Sequence, residues 1–166
     1  QVTLSSVQDT LANITAIDEL TTSEVTMASA NVTVTDQVTK TQTDTINAYT
    51  TGQVTLSSVQ DTLANITAID ALPTSEVTMA SASITVTDQV SKAQADAVNG
   101  FTSGAVVLNS VSDTVVNLAA IEASNDDVMK FADNGVITVS NAATKANADT
   151  INAYTTAQVT LSSVSD

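Results

Sequence analysis

The opening stretch "QVTLSSV" alternates apolar and polar residues, Val2 and Leu4 against Thr3 and Ser5. That period of two is the mark of a strand with one buried face. "NVTVT" at 31–35 repeats the pattern, with Val32 and Val34 set against Thr33 and Thr35. An Asp then marks a change of period: Asp9 and Asp36, with Asp61, Asp88 and Asp113 as copies. A carboxylate accepts from the free N–H groups of a first helical turn, so these Asp residues are the expected N-caps. Behind Asp36 the predicted helix face is Val38, Ile46 and Tyr49, with Thr41 and Thr45 alongside; Val90, Ala93, Ala97, Val98 and Phe101 recreate it. Behind Asp9, the residues Leu11, Ile14, Ile17 and Leu20 are spaced by three. Such a stripe drifts by about 60° per step in an α-helix and predicts a short helix tightening towards three residues per turn. Gly52 and Gly104 follow the second helix, where a left-handed C′ residue is expected; Ala157 departs from this.

These halves belong to a repeat. "QVTLSSVQDTLANITAID" at 1–18 returns unchanged at 53–70, and residues 1–52 differ from 53–104 at twelve positions. The repeats are 1–52, 53–104 and 105–157, the third divergent at 123–135 with one extra residue, and 158–166 begins a fourth. A fixed period of this size signals stacked units. With the cut before Val25, the strand-plus-helix halves are 23 and 29 residues long. The expected fold is therefore one continuous α/β solenoid, with strand-plus-short-helix coils and a parallel β-sheet on one side. Its coils would rise by ~4.8 Å with right-handed crossings. The alternative is a three-sided β-solenoid with one coil per 52 residues, in which "VTMASA" and "NVTVTD" are separate strands. In the preferred arrangement copies of Val2, Leu4, Leu11 and Ile14 lie above one another. Neither end resembles a capping repeat, which predicts a longer array or a unit that stacks end to end.

Composition narrows the partners. Apolar residues make up 43%, mostly Val, Ala, Ile and Leu, which supports a packed chain of thin regular layers. The net charge is −14 with four Lys and no Arg, so neither nucleic acid nor an anionic membrane surface is an expected partner. No apolar run approaches the ~18 residues of a membrane helix, and without cysteine there is no disulfide framework. The acidic surface favours hydration and divalent cations.

Catalysis is not expected, because His, Cys and Arg are all missing. The adjacent acids Asp126 and Asp127 read as a solvated loop rather than a dyad. Ser91 and Lys92 are helix neighbours that do not face each other, and Lys92 is expected to pair with Asp88, as Lys40 with Asp36. No cofactor is expected; calcium is the one metal to weigh, with Asp9, Asp61 and Asp113 as weak candidates in a column. The glycine-rich calcium nonapeptide and the EF-hand loop are both missing. Asn13, Asn65 and Asn117 hold one helix position through three copies, and a buried ladder bonding neighbouring backbones is expected of them. Asn13, Asn31 and Asn65 also fit the glycosylation pattern. Thr33, Thr35, Thr85 and Thr87 suggest an ice-ordering face, but Val107 and Asn109 break it, and cross-strand Thr pairing explains the rest.

In "VTLSSVQDTLANI" and "ITVTDQVSKAQADAVNGFTSGAV" the chain resembles repeat tracts of very large bacterial extracellular surface proteins, of the adhesin and surface-layer kind. The likeness spans nearly all of the chain except about 123–135. It implies an exported stalk, fibre or sheath segment at the cell surface whose partner is itself, end to end or side by side. It carries over no functional residues. The competing expectation is a surface binding module for calcium, glycan or ice on one sheet face.

Overall fold

The computed structural model describes residues 1–20, 24–124 and 128–165. The chain is an α/β fold whose described strand pairings are parallel, with six helices and no closed barrel among the described residues. It forms two compact units, Gln1–Ser83 and Ile84–Asp166.

The first unit runs β1 (Val2–Thr3), β2 (Ser6–Asp9), α1 (Leu11–Asp18), β3 (Val25–Thr26), β4 (Asn31–Val38), α2 (Lys40–Tyr49), β5 (Val54–Asp61), α3 (Leu63–Asp70) and β6 (Val77–Thr78). Val2 lies opposite Val25, Ser6 opposite Asn31, Val32 opposite Val54, and Val54 opposite Val77. The second unit holds β7 (Ser83–Val90, entered from its second residue), α4 (Lys92–Asn99), β8 (Val106–Asp113), α5 (Val115–Glu122), β9 (Met129–Ala143), α6 (Lys145–Asn152) and β10 (Val159–Val164). There Ile84 faces Val106, Val106 faces Met129, and Ile137 faces Val159.

These registers decide between the two expected arrangements. Hydrogen-bonded neighbours are successive half-repeats: Val2 to Val25, Val54 to Val77 and Val106 to Met129 each span the expected 23 residues. One coil per 52 residues would have set Val2 beside Val54, so that alternative is overturned. Its local detail holds, since "VTMASA" and "NVTVTD" do fall in separate strands, β3 and β4. Parallel neighbours need a crossover, and the short helices supply it.

Alternation puts Val32, Val34, Val54, Leu56, Ile84, Val86, Val106 and Leu108 in the core. Inside each strand the register then slips, between Val34 and Gln37, Val86 and Gln89, and Leu108 and Ser110. The slip bends the strand and re-aims its side chains, which is how Val59 is buried three positions after Leu56. Ile14, Ile66 and Leu118, at one position of three copies, are fully buried beneath α1, α3 and α5. Along α1 the stripe fades outward, and Leu20 is exposed beyond its end. There Glu19 N–H still donates to Thr15 O, while Leu20 N–H donates to Ile17 O, the expected tightening of the last turn.

Three local expectations need correction. The N-caps are not the Asp residues but Thr10, Thr39, Thr62, Ser91, Thr114 and Thr144, each accepting from the N3 backbone N–H. Around α2 the strand continues through Val38, so the helix starts at Lys40 and buries Thr43 and Ile46, leaving Thr41 and Thr45 exposed. In α4 the buried pair is Ala95 and Val98, with Ala93 and Ala97 outside. No described glycine has a positive φ. Gly52 is needed for closeness instead: a Cβ there would stand 2.2 Å from the Ala30 carbonyl oxygen.

Candidate functional site

The Asp column was the sequence's leading candidate for chemistry, and the structure gives each member an occupation. Each Asp ends its strand, one residue before the N-cap. Asp61 Oδ1 accepts from Thr62 N–H and Asn65 Nδ2, both at 2.8 Å. Its Oδ2 reaches across to α2 and accepts from Lys40 N–H at 2.9 Å. Asp113 does the same for Thr114 N–H, Asn117 Nδ2 and, across to α4, Lys92 N–H at 2.8 Å. Asp9 Oδ1 accepts from Thr10 N–H and Asn13 Nδ2. The second-half acids serve alike: Asp36 Oδ1 accepts from Leu11 N–H at 2.8 Å. In the third copy Asn141 replaces that acid and still accepts from Val115 N–H at 3.0 Å. A helix leaves its first N–H groups without partners, and here the following half-repeat supplies one. Because an amide does this as well as a carboxylate, the position requires an acceptor and not a charge.

The titration of these acids follows from their partners. The Asn13 amide, then the Thr10 N–H, holds the Asp9 carboxyl below the usual carboxylate value. Burial pushes Asp61 upward, but the Lys40 N–H, the Asn65 amide and the Thr62 N–H outweigh it, and the net direction is down. Asp113 balances in the same way, with the Lys92 charge adding to the downward pull. Asp70 has no such partners and burial raises it.

This arrangement reassigns the asparagines. Asn13 and Asn65 are exposed and Asn117 half-buried. Each donates to the Asp four residues earlier, at 2.7, 2.8 and 2.7 Å, so they are not the expected buried ladder bonding neighbouring backbones. Asn31 Oδ1 accepts from Gln53 N–H, tying the second half-repeat to the third. The Lys pairs run forward instead of back: Lys40 to Asp44 at 2.6 Å and Lys92 to Asp96 at 2.7 Å, with Lys145 to Asp149 at 2.6 Å. As calcium candidates, Asp9, Asp61 and Asp113 already spend oxygens on N–H donors, and no three acids gather among the described residues. Asp126 and Asp127 lie outside the described residues.

The more distinctive geometry lies elsewhere and escaped the sequence reading. In the second unit Glu122, Lys130, Phe131, Asp133 and Tyr154 line a cavity of ≈ 210 Å³. Asp133 and Tyr154 also border a second hollow of ≈ 290 Å³ with Ala153, Thr155 and Thr156. The Phe131 and Tyr154 rings stack with centroids 6.0 Å apart and planes 9° from parallel. In the first copy the matching positions form a smaller cavity of ≈ 110 Å³, lined by Ile17, Asp18, Leu20, Val25, Thr26, Met27, Ala28 and Tyr49. One signal was present in the sequence. Lys40, Lys92 and Lys145 each have an Asp four residues on, whereas Lys130 has Asn134.

No protein-family model, curated protein or solved structure matches this chain.

Proposed function

We propose that this chain is a structural repeat segment of an extracellular bacterial fibre, stalk, sheath or adhesin, an α/β solenoid that extends and self-associates by stacking its coils. The reading rests on one contrast between identical residues. In β5, which has strands on both sides, Val54 and Val59 are fully buried. Their counterparts Val2, in β1, and Val164, in β10, are 56% and 59% exposed. Fully burying one such side chain is worth about 1.5–3 kcal/mol, so each half-repeat gains its core only from a neighbour. The caps that Asp36, Asp61 and Asp113 give to the preceding helices tie the same neighbours together. The acidic surface keeps a long polymer hydrated, and the scarcity of reactive side chains suits a mechanical role outside the cell.

The test compares this chain with versions carrying one repeat fewer and one more. In a stacked array the urea midpoint rises with repeat number, because each addition brings a further interface. A midpoint independent of repeat number would overturn the solenoid reading. Negative-stain electron microscopy at high concentration then tests the fibre: rods or filaments are expected, and uniform globules would refute self-association.

A further inference from the structure

We infer that the cavity beside Tyr154 binds a neutral pyranose unit of a glycan. Its floor is the offset stack of Phe131, which is buried, on Tyr154, which is half-buried. The Tyr154 segment is held in place before any ligand arrives. Thr156 N–H and Oγ1 donate to the Asp133 carbonyl at 2.8 and 2.7 Å, and Thr155 Oγ1 donates to the Gly135 carbonyl at 2.6 Å. Such preorganisation lowers the entropic cost of binding.

The rim has mixed charge. Lys130 and the Asp133 carboxylate have no partner among the described residues, and Glu122 completes the lining. A pyranose offers a C–H face to an aromatic ring and a belt of hydroxyls. Those hydroxyls donate to carboxylates and accept from an ammonium group. Charge narrows the class further. Two carboxylates in a chain of net charge −14 disfavour an anion, and Lys130 disfavours a cation.

Comparison of the copies supports a purpose for the change. Where the first copy has Leu20, Thr26, Met27 and Ala28, the third has Ser124, Lys130, Phe131 and Asp133, while the tyrosine stays. Together these differences widen the cavity and add a ring, a cation and an acid at one place. Packing between half-repeats explains none of the three additions.

The experiment titrates the full chain, labelled with ¹⁵N, with the methyl glycosides of glucose, galactose, mannose and N-acetylglucosamine, and with inorganic phosphate. At least one glycoside should shift the amide signals of Asp133 and Tyr154 with Kd of about 1 mM, as a ligand of this size allows. Tyr154→Ala should weaken that binding about three- to tenfold, the scale of one lost stacking contact. Asp133→Asn, which changes only an exposed carboxylate, should weaken it as well, and Tyr49→Ala should leave it unchanged. The inference fails if no glycoside moves these signals, if phosphate alone does, or if neither Tyr154→Ala nor Asp133→Asn alters the affinity.

Discussion

Replacing Asp61 with Ala tests the cap that joins one half-repeat to the next. The substitution removes three hydrogen bonds, from Lys40 N–H at 2.9 Å, Thr62 N–H at 2.8 Å and Asn65 Nδ2 at 2.8 Å. Each is worth roughly 0.5–1.5 kcal/mol net, somewhat more for an ionised acceptor in a dry site. Asp61 is only half-buried, so water can replace part of what is lost and solvent screens the charge. The expected cost is about 2–3 kcal/mol. Asp61→Asn keeps an acceptor for one N–H, as Asn141 does for Val115, and should cost about 1 kcal/mol. The cross-helix bond is isolated by Lys40→Pro. Proline suits the first helical position, Thr39 before it is already extended at φ −95° and ψ 170°, and the donor to Asp61 disappears. Urea unfolding of the two single variants and the double variant gives the coupling, expected near 1 kcal/mol. A coupling indistinguishable from zero, or a cost of Asp61→Ala below ~0.5 kcal/mol, would refute the cap as a stabilising tie.

Other outcomes follow from the same structure. Asp9, Asp61 and Asp113 titrate below their ordinary value of 3.8, so between folded and unfolded values the folded chain holds fewer protons. Their stabilisation is complete above the unfolded value and is lost as pH falls through the lower folded ones; urea midpoints from pH 6 to pH 2 should drop, and less steeply in the triple Asn variant. Asp70 works oppositely, since burial raises it, so Asp70→Asn should raise the urea midpoint at neutral pH. Gly52→Ala should cost about 1–3 kcal/mol by overpacking against Ala30, measured by the same unfolding. Ile66→Ala should cost about 2–5 kcal/mol, whereas Leu20→Ala, on the exposed end of the stripe, should change the midpoint little.

Much of the backbone plan was legible because period and repetition act locally. The 23-residue spacing of Val2, Val25, Val54 and Val77 is visible in the letters and reappears as strand register. Helix starts were misread because Asp and Thr both favour that position, and only tertiary contact shows that Asp faces a different helix. The α2 start was nonetheless written in Thr39 and Gln42, a reciprocal cap repeated by Ser91 and Gln94. Burial of Thr43 defied hydropathy because its hydroxyl donates to Thr39 O at 2.9 Å, leaving a small, satisfied side chain where the second copy has Ala95. The Tyr154 cavity was illegible for another reason. Its walls come from the end of α5, the start of β9 and the segment after α6, which no pattern along the chain connects.

The caps also give the molecule a direction in time. Leu11, Lys40 and Lys92 begin helices that are finished only when Asp36, Asp61 and Asp113 arrive from later in the chain. During synthesis, which delivers the amino terminus first, each turn of structure waits for its successor to latch it. A ribosome would release these half-repeats as a ratchet, with the newest always the loosest.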